Sequence, residues 1–152
     1  MAIISKEEAR KILEKALSFS TADECEANLN GDDSGNIRYA RNNVSTSGVR
    51  SNITLLVASS FGKKQGVATV NEFDDASLER AVKRSEELAK LAPENPEYMP
   101  FLGPQEFKES KTWKDSTANI TPEMRADVAA ASINPAKAND ITAAGFLDDS
   151  AS

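Results

Sequence analysis

Histidine is absent from this sequence of 152 residues, and cysteine and tryptophan occur once each. Without histidine the chain has no Ser-His triad, no Cys-His pair and no His-ligated zinc. The single cysteine, Cys25, excludes an intrachain disulfide and a Cys-rich metal site. Long apolar runs are also missing: Leu55-Leu56-Val57-Ala58 is the longest, far short of the ~20 residues of a membrane-spanning helix. Positive charge is in deficit, with 18 Lys+Arg against 24 Asp+Glu and a net charge of −6. That balance argues against nucleic-acid and anionic-membrane partners, because phosphates are held by clustered cations. No apolar targeting segment is visible, since Met1-Ala2-Ile3-Ile4 gives way at once to Ser5-Lys6-Glu7-Glu8. The expected location is therefore the cytoplasm, where a lone reduced thiol is ordinary. The glycosylation sequons at Asn43, Asn52 and Asn119 are then chance matches.

What is present reads as α+β. Ser5 and Glu8 form a capping box, and Ala9, Ile12, Leu13, Ala16 and Leu17 make one apolar helical face over residues 5–18. From Asp23 the period becomes two, with Cys25, Ala27 and Leu29 alternating with polar residues as in a strand. Asn30-Gly31-Asp32-Asp33-Ser34-Gly35 is dense in turn formers and predicts a hairpin turn, followed by a second extended segment over residues 36–41. Residues 42–50 are weakly patterned and fit loop, a turn of helix, or strand. Ile53 to Phe61 is the clearest strand, with apolar residues on both faces. Residues 62–66 predict a hairpin loop and Val67-Ala68-Thr69-Val70 its returning strand. Asp74 or Asp75 caps a second long helix carrying Leu78, Ala81, Val82, Leu88, Ala89 and Ala92 on one face, ended by Pro93 and Pro96.

Later residues are less regular. Residues 103–119 are polar and read as a linker or long loop. Thr121-Pro122 opens a third helix with a thin stripe of Met124, Val128 and Ala131, which Pro135 should break or kink. A short strand is expected over residues 141–147. The expected organisation is a core over residues 1–102, a linker over 103–121, and a helix and strand over 122–152 that begin a further unit.

Candidate chemistry is thin. Asn30, Asp32, Ser34 and Gly35 match the first positions of a calcium loop, but its twelfth position is Arg41, a cation where a bidentate carboxylate is needed. Gly62-Lys63-Lys64 falls short of a phosphate loop, with Val57 in place of the first glycine and Lys64 where Ser or Thr is required. Asp23, Glu24 and Glu26 straddle both faces of a strand, and Asp74-Asp75 is explained by helix capping. Cys25, among acids that oppose its use as a nucleophile, reads as a small core residue. Arg38, Tyr39, Arg41 and Arg50 read as a solvated strand face. Trp113 is either an anchor for the linker or an interface residue.

Several segments, taken in order, carry a family resemblance. They are Asn36-Ile37-Arg38-Tyr39-Ala40-Arg41-Asn42, then Gly62-Lys63-Lys64-Gln65-Gly66-Val67-Ala68-Thr69-Val70-Asn71 and Asp74-Asp75-Ala76-Ser77-Leu78-Glu79-Arg80-Ala81-Val82. Leu91-Ala92-Pro93-Glu94-Asn95-Pro96-Glu97-Tyr98-Met99-Pro100 and Thr142-Ala143-Ala144-Gly145-Phe146-Leu147 complete the set. Together they resemble the N-terminal domain of the TldD/PmbA metallopeptidase family, also known as modulators of DNA gyrase. The resemblance implies an α+β domain that packs on a larger C-terminal domain and helps form a cleft for peptide substrates. It further implies homo- or heterodimers of the full-length protein. The family's zinc sits on a His-Glu-x-x-x-His helix with a later cysteine, where the metal polarises the peptide carbonyl and activates water.

This histidine-free chain carries none of that motif, so no catalytic, cofactor-binding or metal residue transfers to it. The expectation is a non-catalytic domain, cut before the metal site of a zinc peptidase. The alternatives are a domain of the metal-free partner subunit and a stand-alone binding module. Truncation would leave the 141–147 strand as an open edge, with self-association or disorder from about Gly103 onward.

Overall fold

A computed structural model describes residues 4–103, 105–106 and 108–152. Met1-Ala2-Ile3 of the targeting reading, and Pro104 and Phe107 of the expected linker, lie outside them. The architecture is α+β: a four-stranded antiparallel sheet in the order β3-β2-β1-β4, with an N-terminal helix, a second long helix, and a later helix before the last strand.

The first helix, α1 (Lys6–Ser18), starts as its sequence requires. Ser5 Oγ accepts the Glu8 amide at 3.2 Å, and the Glu8 carboxylate accepts the Ser5 amide at 3.0 Å. β1 (Glu24–Ala40) is one continuous strand of 17 residues. The hairpin turn expected at 30–35 is therefore not formed. Its turn-forming side chains are held extended by partners on neighbouring strands: Asp32 by Arg50 at 2.7 Å, Asp33 by the Ser51 hydroxyl, and residues 33–39 by antiparallel pairing with residues 145–151. The chain reverses instead at Arg41 and Asn42, whose φ angles of 51° and 61° suit a two-residue hairpin turn. Left-handed backbone without glycine is uncommon, and Asn42 is fixed there by bonds with Ala143 and Ile141.

β2 (Asn43–Phe61) absorbs all but Asn42 of the weakly patterned 42–50 segment. The next loop is shorter than the expected 62–66, because β3 (Lys64–Val70) begins at Lys64 and leaves Gly62 and Lys63 to turn. Gly62, at φ +57°, supplies the left-handed conformation that turn needs. α2 (Asp75–Leu91) is capped by Asp74, which accepts the Ser77 amide at 3.0 Å. A four-residue helix, α3 (Asp115–Ala118), lies within the expected linker.

α4 (Pro122–Ala138) corrects two expectations. It is not broken by Pro135, which lies in its last turn and removes a single amide donor from the helix. It also buries a different face: Arg125, Ala129, Ile133 and Ala136 are inside, while Met124 and Val128 are about half exposed and Ala131 is exposed. β4 (Gly145–Ala151) starts four residues later than the expected 141–147 strand and takes in Asp148 and Asp149. Its extent follows the register with β1, from Tyr39↔Gly145 to Asp33↔Ala151.

Two compact units emerge. One comprises residues 4–31 and 53–109, the other residues 32–52 and 110–152. The first has an apolar core of Ala16, Leu55, Val57, Leu78 and Val82, with Ile12, Leu13, Phe19, Cys25 and Phe73 packed around it. Gly66 lets α2 lie directly on β3, since a Cβ there would come within 2.2 Å of the Ala89 nitrogen. Within the same unit Glu86 is buried yet accepts from Thr21 N–H at 2.6 Å, Thr21 Oγ1 at 2.9 Å and Ser20 Oγ at 3.2 Å. Burial pushes its carboxyl up, but those three bonds outweigh it and hold the group below the ordinary glutamate range. The second unit is built on Ile37, Ala129 and Ile133, with Tyr39 and Leu147 beside them.

Candidate functional site

The residues singled out from the sequence do not converge. Asp23 accepts the Gly62 amide at 2.8 Å, Glu24 accepts the Tyr98 hydroxyl, and Glu26 pairs with Asn28. Asp74 caps α2 and Asp75 pairs with Lys15 at 2.8 Å. Each carboxylate thus has a structural partner rather than a second carboxylate for acid–base work. Cys25 is half-buried against the apolar core, 3.8 Å from Ser59 Oγ.

Asn30, Asp32, Ser34 and Gly35 lie along one extended strand, which cannot wrap a cation as a calcium loop does. Among the described residues no group of three His, Cys, Asp or Glu could hold a metal. Gly62 and Lys63 form only a hairpin tip. Arg38 stacks over the Phe146 ring at 5.0 Å, Tyr39 packs beside Ile37, and Arg50 binds Asp32. Those three residues are therefore engaged separately rather than in one basic cluster. Trp113 is about half exposed and donates its indole N–H to Asp115 at 2.8 Å.

The residue that sequence reasoning missed is Arg125. It follows the capped start of α4, where Thr121 Oγ1 accepts the Met124 amide at 3.3 Å and Pro122 occupies the first turn. The side chain is 1% exposed and Nη1 donates to Asp149 Oδ1 at 2.7 Å, while Nε and Nη2 are buried without a hydrogen-bond partner among the described residues. Gly35 makes room for the guanidinium: a Cβ there would lie 2.1 Å from Nη1 and 2.3 Å from Cζ. Beside this pair is a cavity of about 280 Å³, lined by Ser34, Gly35, Arg50, Ser51, Thr117 and Arg125 among others. Asp33 and Asp149 also border it, so the charged lining balances two cations against two carboxylates. One cue existed in the sequence, an arginine in line with Ala129, Ile133 and Ala136; Gly35 marks close approach only once its strand is known.

No protein-family profile matches the sequence, and no curated protein matches it. Solved structures do. TldE from Thermococcus kodakarensis superposes with a TM-score of 0.76 at 16% identity, over 93% of this chain and 33% of that one. A candidate modulator of DNA gyrase from Bacteroides thetaiotaomicron gives 0.75 at 14% identity, over 97% of this chain and 36% of that one. A second candidate modulator, from Thermotoga maritima, gives 0.65 at 11% identity, over 93% and 38%. These neighbours bear the names of the family that the sequence resembles, and at such identities the likeness is one of fold. The chain spans about a third of the length of the structures it matches.

Proposed function

We propose that this chain is the N-terminal, non-catalytic domain of a TldD/PmbA-type zinc peptidase. In this reading it forms part of the wall of a peptide cleft and a packing surface for the C-terminal domain, within a cytoplasmic homo- or heterodimer. The observation that carries the reading is a fold shared over nearly the whole chain with proteins about three times its length. The ordered segments quoted above support it from the sequence side.

Chemistry gives the domain a supporting role. Zinc peptidases need imidazole or thiolate ligands and an open coordination position for water, and this chain offers one half-buried thiol and no imidazole. Zinc and the general base would come from the remainder of the parent.

Metal analysis of the purified chain, combined with turnover of a quenched fluorogenic peptide, tests the proposal. Less than a tenth of an equivalent of zinc after dialysis and no hydrolysis above buffer are expected. Stoichiometric zinc, or turnover that a chelator abolishes, would contradict it.

A further inference from the structure

β3 is an outer strand of the sheet: β2 pairs with one side of it, and among the described residues no strand pairs with the other. The register fixes which backbone groups are left over. The Ser60 carbonyl accepts the Asp23 amide at 3.0 Å on the β1 side, so Ser59 and Phe61 turn theirs toward β3, opposite Gly66 and Lys64. Alternation then aims the amides and carbonyls of Gly66 and Ala68 at β2, and those of Val67 and Thr69 outward. A groove of about 440 Å³ lies between this strand and α2. Ala68, Thr69 and Val70 all line it. Consecutive strand residues face opposite ways, so the groove follows the outer edge of β3 rather than one of its faces.

We infer that this edge takes up an extended acidic segment of a partner protein as a fifth strand. The inference rests on the edge and its groove alone and stands whether or not the peptidase reading holds. A strand laid there is held by main-chain hydrogen bonds to Val67 and Thr69, and its side chains alternate between the two faces of the sheet. Those level with Ala68 and Val70 point to the face that α2 covers at Gly66. There the groove is lined by three cations, Arg80, Lys83 and Arg84, against one carboxylate, Glu87, in a chain of net charge −6. The cations pair with Glu72, Glu79 and Glu87 through side chains that are themselves 63–71% exposed, and such pairs are worth little. They are therefore free to turn to carboxylates that arrive on a strand. The intervening side chains lie beside Val67, 44% exposed, which favours apolar residues. Charge also decides against a second copy of this chain: its β3 would bring Lys64, Gly66, Ala68 and Val70 to the α2 face, a cation and three uncharged residues.

The test titrates the full, ¹⁵N-labelled chain with an end-blocked heptapeptide that alternates glutamate with valine. A glutamine-valine twin, and two forms of the parent peptide N-methylated on either alternate set of amides, complete the series. Saturable shifts of the Val67 and Thr69 amides, with slowed exchange of their hydrogens, are expected from the glutamate peptide. The glutamine twin should bind at least about tenfold more weakly, because it keeps the shape and loses the charge. One N-methylated form should weaken by a similar factor, since it keeps every charge and loses the donors that face β3. Lys83→Gln combined with Arg84→Gln, both at exposed positions, should lower affinity for the glutamate peptide about tenfold. No saturable shift at Val67 and Thr69, equal binding of the glutamine twin, full binding of both N-methylated forms, or unchanged affinity in the double variant would overturn the inference. So would a dimeric free chain with those two amides already protected, because a second copy would then hold the edge.

Discussion

The two units of this chain solve burial in opposite ways. In residues 4–31 and 53–109 the interior is aliphatic, with Leu55, Val57, Leu78 and Val82 at or below 1% exposure. In residues 32–52 and 110–152 the largest fully buried side chain among the described residues is a charged one, Arg125, and the apolar cluster is small, Ile37, Ala129 and Ile133 with Tyr39 and Leu147 against it. Apolar burial is non-directional and tolerant of small shifts. A buried ion pair stabilises only when its geometry is met, and it is severely disrupted when one member is lost. The first unit should therefore degrade gradually under substitution and the second abruptly.

The sharpest expected effect lies in the second unit. Arg125→Ala removes the buried cation, leaves the partly buried Asp149 without its partner and should destabilise by about 3 kcal/mol, read from urea denaturation. Next comes the aliphatic core, where Leu55→Ala should cost about 2–5 kcal/mol through lost burial and a residual cavity. Leu55→Met, which preserves volume, should cost less than about 1.5 kcal/mol by thermal melting. No comparably mild replacement exists for Arg125, and finding one would erase the contrast between the units.

Glu86 supplies a smaller and pH-dependent test inside the aliphatic unit. Its folded pKa is depressed, so its contribution is full above the ordinary glutamate value of about 4.3 and is lost as pH falls through the lower folded value. Glu86→Gln should cost about 1–3 kcal/mol at neutral pH. The gap from the parent chain should close on acidification, as followed by circular dichroism. A gap that widens in acid would reverse the assigned sign. The smallest effect is at the helix start: Ser5→Ala removes the cap of α1 and should cost about 1 kcal/mol, with fraying of the first turn visible by hydrogen exchange.

The same contrast explains what could be read from the sequence. Helices α1 and α2 and the 53–61 strand were legible because their apolar spacing and caps lie within one segment. The 30–35 segment was misread because Asp32 and Asp33 are held by Arg50 and Ser51, 18 residues away in each case. Local turn propensity yields there to pairing on both sides. α4 was found but its inward face was not, because a helix that buries an arginine has no apolar stripe to follow. Arg125 takes its meaning from Asp149, which lies in a strand whose start was placed four residues early, and from Gly35, which reads locally as a turn glycine. The candidate site was thus hidden where burial depends on charge rather than on apolar periodicity.

The most direct test is a double-mutant cycle on Arg125 and Asp149, using Arg125→Met, Asp149→Leu and the pair. Strong coupling is predicted, at least about 1.5 kcal/mol, with the double variant more stable than either single one. Single losses that simply add, within about 0.5 kcal/mol, would mean that this ion pair does not organise the second unit.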